Sequence, residues 1–121
     1  MAESLYDMVG REPIFRQLVE NFYEKVAADP LLREMFPDDL EPGKRYQALF
    51  LIQLFGGPSE YAEERGHPRL RMRHAPFSIN HQARDLWLGY MLDSIDAVGI
   101  VEPARGMMRS YFEKAASHMV N

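Results

Sequence analysis

The stretch HPRLRMRHAPF, residues 67–77, decides how this chain is organised, and His74 lies at its centre. Few of its residues favour a strand, and Pro68 and Pro76 leave room for only about two turns of helix between them. A helix this short is unstable by itself in water, so contacts outside the segment must hold it in place. A bond between the imidazole of His74 and a metal ion would be such a contact.

Two amphipathic helices are predicted on each side of this stretch. The first begins near Glu12, has Pro13 in its first turn and carries apolar residues every four positions as far as Val26. After the central stretch, Asn80 is a suitable N-cap for the third helix, and Pro103 begins the last one. The predicted spans are residues 12–29, 43 or 44 to 55, 80–98, and 103 onwards.

Shorter elements connect these helices. Residues 4–9 are predicted to form a short helix that Gly10 ends, and residues 31–35 one or two turns before an irregular corner, FPDDLEPG, at residues 36–43. No segment alternates polar and apolar residues with period two over a useful length, so the chain is predicted to be all-α. Its 121 residues fit a single domain, and two helix pairs packed as a sandwich bury four amphipathic faces most simply.

In the last two long helices, apolar and small residues recur at helical spacing, and this pattern predicts which face of each helix points inward. In the helix at residues 80–98 the inward residues are Ala83, Trp87, Met91, Ser94 or Ile95, and Val98. In the last helix they are Ala104, Met107, Tyr111, Ala115 and Met119, several of which are small or flexible and suit close packing.

The composition is that of an ordinary globular protein, with 46% hydrophobic and 26% charged residues. The net charge of -4 argues against nucleic acid or an anionic membrane as the main partner. The absence of cysteine excludes disulfides and thiolate metal sites. No stretch approaches the roughly 20 apolar residues of a membrane span, so a cytoplasmic protein is expected.

Basic residues are concentrated near the central stretch, although the whole chain is acidic. On charge alone, two interpretations are equally supported: a positive field that binds an anionic ligand group, and a solvated arginine surface. The residues concerned are Arg65, Arg69, Arg71 and Arg73.

A three-histidine zinc site is only weakly indicated. His67, His74 and His81 are seven residues apart and would align on one continuous helix, but the prolines at 68 and 76 prevent such a helix. The chain also has no HExxH motif, no glycine-rich phosphate loop and no recognisable catalytic triad. A single histidine ligand favours haem, because the porphyrin supplies the other four nitrogen ligands.

Three residues with polar groups lie on predicted apolar faces: Tyr23, Gln47 and Trp87. Taken singly, each has an ordinary structural explanation. Tyrosine and tryptophan commonly pack their rings in a core and bond their polar atoms to the backbone, and a lone glutamine commonly borders water.

The chain resembles the group II truncated haemoglobins over nearly its whole length. The resemblance is carried by HPRLRMRHAPF together with FYEKVAADPLL at residues 22–32, FGGPSEYAEERGHP at 55–68, RDLWL at 84–88 and HMVN at 118–121. It implies a globin-like two-over-two helical sandwich, a truncated globin, around one haem b. It also implies that His74 is the proximal ligand of the haem iron, with its ring orientation fixed by a backbone carbonyl, for which the sequence suggests Leu70.

The resemblance assigns the remaining site residues as well. Tyr23, Gln47 and Trp87 are implied to be the distal residues that donate to a bound ligand, and Gly43 occupies the gate position where longer globins carry a histidine. The haem pocket is expected to include Phe36, Gly43, Phe50, Leu54, Met72, Phe77 and Met91, and the propionates are expected to contact Arg73 and Tyr61.

Three functions are consistent with these features. The first is binding of oxygen, carbon monoxide and nitric oxide. If each of two hydrogen bonds to the bound oxygen contributes roughly 1.5–3 kcal/mol, oxygen release would be slowed by about two to four orders of magnitude. The second is a redox enzyme, a nitric oxide dioxygenase or peroxidase-like protein, which would need a separate reductase. The third is a small helical interaction module with a basic loop and no haem. A monomer or homodimer is expected.

Overall fold

The structure, a computed structural model, describes residues 3–74 and 77–120, apart from the side chains of Arg71 and Arg73. Within these ranges the chain forms eight helices and no strand, which confirms the all-α prediction. The helices are α1 (Leu5–Val9), α2 (Arg11–Ala28), α3 (Pro30–Arg33), α4 (Glu41–Leu54), α5 (Glu60–Arg65), α6 (Leu70–His74), α7 (His81–Ala97) and α8 (Ala104–Met119).

Local capping interactions set the ends of the predicted helices. At the start of α1 the hydroxyl of Ser4 accepts a hydrogen bond from the backbone N–H of Asp7. Gly10 ends that helix with a φ of +110°, which glycine adopts without a steric penalty. At the start of α7 the side chain of Asn80 accepts from the backbone N–H of Ala83 at 2.8 Å. These predicted boundaries are confirmed.

The helix α4 begins earlier than predicted, at Glu41. Pro42 lies in its first turn, where the missing N–H leaves no intrahelical bond unmade. The carboxylate of Asp39 accepts from the backbone N–H of Glu41 at 3.0 Å. The sequence predicts that Glu41 and Pro42 belong to the irregular corner, so the predicted start of α4 was wrong.

The four long helices form two packed pairs. The helix α2 packs against α4, and α7 packs against α8, while α2 and α7 join the two pairs across the core. This is the predicted two-over-two sandwich. Its centre is filled by large side chains that are fully or almost fully buried: Phe15, Leu18, Phe22, Leu51, Met91, Ile95, Met108 and Phe112.

The last helix is rotated relative to the prediction. Its most buried line is Ala104, Met108, Phe112 and Ala116, whereas Met107 is 55% exposed. Apolar residues occupy two adjacent faces of α8, so the pattern alone did not distinguish the core face from the one beside it. Tyr111, Ala115 and Met119, which were predicted inward, are half-buried.

In helix α7 the predicted inward residues Ala83, Met91, Ser94 and Ile95 are buried, and Trp87 and Val98 are half-buried. In the described parts of the chain, none of the helices is both long enough and apolar enough to span a lipid bilayer.

Candidate functional site

A cavity of about 490 Å³ lies between the two helix pairs. This volume falls in the range of small-molecule and cofactor pockets, roughly 300–1,000 Å³. One wall comes from α2, α4 and the corner after α3, another from α7 and α8, and the short helices α5 and α6 complete it. Most of the lining side chains are apolar or aromatic.

His74 projects into this cavity from the single turn of α6. Its Nδ1 lies 2.6 Å from the carbonyl oxygen of Leu70, one helical turn earlier. Because a carbonyl can only accept, Nδ1 must carry the proton, and the lone pair of the neutral ring is then on Nε2. This hydrogen bond fixes the ring orientation, and Nε2 is the ring nitrogen that could hold a metal ion. The contact with Leu70 is the one suggested from the sequence.

Tyr23 reaches the cavity from α2, and its side chain is buried, with only 5% exposed. Its ring packs edge-on against Phe22 and Phe36, with ring centroids 5.6 and 5.8 Å apart. The hydroxyl lies beside Gly43, where a Cβ atom would be only 2.8 Å away. Burial raises the pKa of Tyr23 to about 12, so the hydroxyl is a neutral donor at physiological pH.

Gln47 and Trp87 face the same cavity. Gln47 is one turn beyond Gly43 on α4, so both are on one side of that helix. The ring of Trp87 packs edge-on against Phe22 at 5.3 Å and beside Phe112 at 6.1 Å.

Among the residues that the structure describes, no hydrogen-bond partner is present for the side chains of Tyr23, Gln47 or Trp87. The backbone bonds that the ordinary explanation suggests for Tyr23 and Trp87 are therefore not found within these ranges, and Gln47 is half-buried at the cavity. Three donors line one cavity.

Of the apolar residues predicted for the pocket, Phe36, Phe50 and Phe77 line the cavity, whereas Leu54, Met72 and Met91 lie outside its lining.

The position of each of these three residues on its helix explains why it lies outside the cavity lining. Met72 is 65% exposed, because it lies two positions from both Leu70 and His74 and so points away from the side of α6 that faces the cavity. Leu54, 39% exposed, is the last residue of α4 and lies one turn beyond Phe50. Met91 is fully buried, one turn beyond Trp87, and belongs to the core behind the cavity.

Of the two residues predicted to contact propionates, Tyr61 lines the cavity and packs edge-on against Phe50 at 5.4 Å. The side chain of Arg73 lies outside the described part of the structure. Two other arginines, Arg65 and Arg84, line the cavity and were not predicted to do so. Arg65 belongs to the basic group for which the sequence supports either an anionic ligand or a solvated surface.

The α8 face beside the core also lines the cavity, through Tyr111, Ala115 and Met119. The helical spacing of these residues signalled an inward face, but the sequence did not indicate that the face bounded a cavity.

The corner after α3 is held in place by Arg33. Its guanidinium donates to the carbonyl oxygens of Phe36 (3.3 Å), Pro37 (2.9 Å) and Asp38 (2.9 Å). Arginine suits this role because its donors are fixed in one plane. The clamp thereby orders the segment that presents Phe36 to the cavity and to the ring of Tyr23.

A second contact joins the same region to α7. The carboxylate of Asp29 accepts from the backbone N–H groups of Leu31 and Leu32 and from the hydroxyl of Tyr90. The hydrogen bond from Tyr90 is the main cause that lowers the pKa of Asp29. Asp29 thus both caps α3 and fastens it to the other helix pair.

These residues fit a haem. The cavity offers one imidazole in a defined tautomer, aromatic and aliphatic walls that exclude water, and cationic side chains in its lining. No cluster of three or more potential metal-ligating residues occurs in the described ranges, so the three-histidine zinc site gains no support. The ring of His67 instead accepts a hydrogen bond from the backbone N–H of Arg69.

Comparisons with known proteins agree with this fit. A family model described as bacterial-like globin matches residues 4–121. The chain is 47% identical over 116 residues to the group 2 truncated haemoglobin YjbI of Bacillus subtilis, covering 96% of this chain and 87% of that protein.

Solved structures show the same likeness. A haemoglobin from the thermophilic phototrophic bacterium Chloroflexus aurantiacus superposes with a TM-score of 0.98 at 54% identity, covering 99% of each chain. A truncated haemoglobin from Bacillus subtilis, described as oxygen-avid, superposes with a TM-score of 0.93 at 45% identity, covering 98% of this chain and 100% of that one.

Proposed function

The chain belongs to the bacterial-like globin family, among the group II truncated haemoglobins, and is therefore a haem protein that binds oxygen; on this premise we propose that it retains oxygen rather than releasing it rapidly. When bound, haem b supplies the ferrous iron at which a diatomic ligand binds. The chain's own residues bind and orient the cofactor, keep water away and donate hydrogen bonds to the ligand.

His74 is proposed as the proximal ligand. The bond from its Nδ1–H to the carbonyl of Leu70 supports this role, because it fixes the tautomer and makes Nε2 more basic. The surrounding apolar side chains lower the local polarity, which strengthens polar contacts made inside the cavity.

Tyr23, Gln47 and Trp87 are proposed as the donors to the ligand. An oxygen molecule held beside these donors would be a partly anionic acceptor, and a hydrogen bond to such an acceptor contributes roughly 1.5–3 kcal/mol. At about 1.4 kcal/mol per tenfold change, each good donor slows oxygen release by roughly one to two orders of magnitude. Two such donors favour retention over delivery.

One observation carries the proposal. The Tyr23 hydroxyl belongs to a buried side chain, faces the cavity, and has no hydrogen-bond partner among the described residues. A hydroxyl that faces a cavity and makes no bond to the described residues can donate to a ligand that enters the cavity.

The test is oxygen dissociation measured by stopped-flow mixing with carbon monoxide. Tyr23→Phe removes the hydroxyl and keeps the ring, so we expect dissociation to accelerate by roughly tenfold or more. Tyr6→Phe is the matched control, because Tyr6 packs on Phe15 and does not line the cavity. Unchanged dissociation in both Tyr23→Phe and Trp87→Phe would refute the distal assignment.

A second candidate is oxidation of nitric oxide by the retained oxygen. The same three donors favour it, because slow release leaves oxygen in place until nitric oxide arrives. One nitric oxide and one oxygen molecule give one nitrate and consume one electron, which a separate reductase must supply. Repeated nitrate formation in the presence of an electron donor would support this activity, and a single stoichiometric turnover under the same conditions would leave oxygen binding as the function.

A further inference from the structure

Tyr90 on α7 donates a hydrogen bond from its hydroxyl to the carboxylate of Asp29 at 2.5 Å. Two backbone N–H groups at the start of α3 also donate to this carboxylate and hold it in place. The hydrogen bond from Tyr90 contributes most to lowering the pKa of Asp29, so the carboxylate is ionised at neutral pH. A base in this position can take up the phenolic proton without any rearrangement.

Trp87 connects this hydrogen-bonded pair to the cavity. Tyr90 lies outside the cavity lining, whereas Trp87 is part of it. The two residues are three positions apart on α7, so they are neighbours on the helix surface, with Cβ atoms roughly 5–6 Å apart. An electron can pass between such neighbouring aromatic side chains, because the tunnelling distance is short. Trp87 is also the only tryptophan of the chain.

Four other tyrosines line the cavity, namely Tyr23, Tyr46, Tyr61 and Tyr111. Within the described ranges, none of their hydroxyls donates to a carboxylate. The ring of Tyr46 also lies beside the guanidinium groups of Arg65 (4.4 Å) and Arg45 (5.2 Å), whose positive charges oppose the loss of an electron. What distinguishes Tyr90 is therefore the base at its hydroxyl.

We propose that Tyr90 is a redox-active tyrosine that supplies electrons through Trp87 when the protein reacts with hydrogen peroxide. This inference rests on the haem site proposed above and goes beyond oxygen binding, since it assigns a one-electron oxidation site outside the cavity. When bound, haem is the group at which peroxide is reduced. The phenolic proton of Tyr90 moves to Asp29 along the existing hydrogen bond, and a neutral tyrosyl radical remains.

Electrons and atoms balance over two such steps. Hydrogen peroxide takes up two electrons and two protons and gives two molecules of water. In each step the phenolic O–H bond of Tyr90 breaks, its electron passes through Trp87, and its proton passes to Asp29 and then to water. A small hydrogen-atom donor, such as ascorbate or a soluble phenol, then restores the O–H bond. One peroxide thus oxidises two donor molecules by one electron each, and the protein is unchanged.

The test is freeze-quench electron paramagnetic resonance of the haem-loaded ferric protein after mixing with hydrogen peroxide. We expect a tyrosyl signal in the wild-type protein that is absent from Tyr90→Phe, which keeps the aromatic ring and removes the phenol. Tyr111→Phe is the matched control, because Tyr111 lines the cavity but has no carboxylate at its hydroxyl in the described ranges, and its signal should match the wild type. Trapping with a nitroxide, followed by mass spectrometry, should locate the radical on the peptide that contains Tyr90.

Asp29→Asn tests the proton acceptor separately from the fold. Asparagine caps a helix as well as aspartate does, so α3 should stay capped, and the amide oxygen can still accept from Tyr90. The amide cannot take up a proton, however, so the tyrosyl signal should form more slowly by roughly a hundredfold or more. Asp93→Asn makes the same change in charge at an exposed position of α7 and is expected to leave the rate unchanged.

Trp87→Phe removes the connecting side chain and is expected to lower the yield of the tyrosyl signal. A signal of wild-type intensity in Tyr90→Phe, or one that forms at the wild-type rate in Asp29→Asn, would overturn the proposal and leave the haem site intact. A wild-type protein that takes up haem but gives no tyrosyl signal would do the same. Failure to take up haem would instead refute the haem site on which the proposal rests.

Discussion

The hydroxyl oxygen of Tyr23 lies 2.8 Å from the position that a Cβ atom on residue 43 would occupy. Real Cβ atoms do not approach other atoms this closely, and the aromatic ring of Tyr23 is confined by Phe22 and Phe36. The glycine at position 43 therefore makes room for the proposed donor. The two residues act as one unit, although they are on different helices.

Gly43→Ala is accordingly expected to displace the Tyr23 hydroxyl and to accelerate oxygen dissociation by up to the amount seen with Tyr23→Phe. Gly89→Ala in α7 is the matched control, because a Cβ there meets nothing within 4 Å. That control should stabilise the protein by roughly 0.5–1 kcal/mol, as expected for glycine replaced by alanine inside a helix, and leave oxygen dissociation unchanged. An oxygen dissociation rate in Gly43→Ala equal to that of the wild type would contradict the close packing.

The raised pKa of Tyr23, about 12, predicts how the protein responds to alkaline pH. The hydroxyl keeps its proton well above pH 10, so oxygen dissociation should be constant between pH 7 and 10. Because the folded pKa exceeds the unfolded value near 10, the associated stability is complete below pH 10 and is lost as the pH rises through 12. Stopped-flow measurements of oxygen dissociation between pH 7 and 10, and measurements of the free energy of unfolding up to about pH 12, check these two expectations. A rise in dissociation centred at or below pH 10 would show that the hydroxyl is not shielded.

His74→Ala is expected to abolish normal haem ligation, because it removes the imidazole whose Nε2 is proposed to bind the iron. Absorbance spectra recorded with and without carbon monoxide would detect the loss, and added imidazole is expected to restore a ligated spectrum. His118→Ala is a suitable control, because His118 is exposed near the end of α8 and does not line the cavity. A wild-type carbon monoxide spectrum in His74→Ala would mean that another residue binds the iron.

Arg33→Ala is expected to loosen the corner after α3. Three backbone carbonyls lose a charged donor, which should lower the free energy of unfolding by about 1–3 kcal/mol in urea titrations. Phe36 would then be held less firmly, so loss of haem b and of its dimethyl ester should accelerate by the same factor. Arg16→Ala provides the control for a lost surface charge, because Arg16 lies outside the cavity lining.

Local sequence signals predicted much of the fold, because the helix ends depend on nearby residues. Ser4, Gly10 and Asn80 each act within three or four positions along the chain, and each was identified correctly. Pro42 was misplaced because proline is equally at home in a turn and in the first turn of a helix.

The site was predicted less completely, because a cavity depends on how helices are rotated and where they end. Met72 is close to His74 in sequence, yet it faces the opposite side of α6 and is exposed. Met107 and Met108 are adjacent, and only the tertiary packing decides which of them enters the core. The sequence identified Arg65 only as one of a basic group, because its contact with the ring of Tyr46 joins two helices that the sequence alone does not bring together.

The cavity walls come from both helix pairs, with Tyr23 and Gln47 on one side and Trp87 and Ala116 on the other. The cofactor would therefore serve as part of the interior that joins the two layers. A ligand bound only by the folded state raises stability in proportion to the logarithm of its concentration relative to its dissociation constant. Heating should thus release haem and separate the layers in a single cooperative event, with the iron spectrum and the helical signal changing at the same temperature.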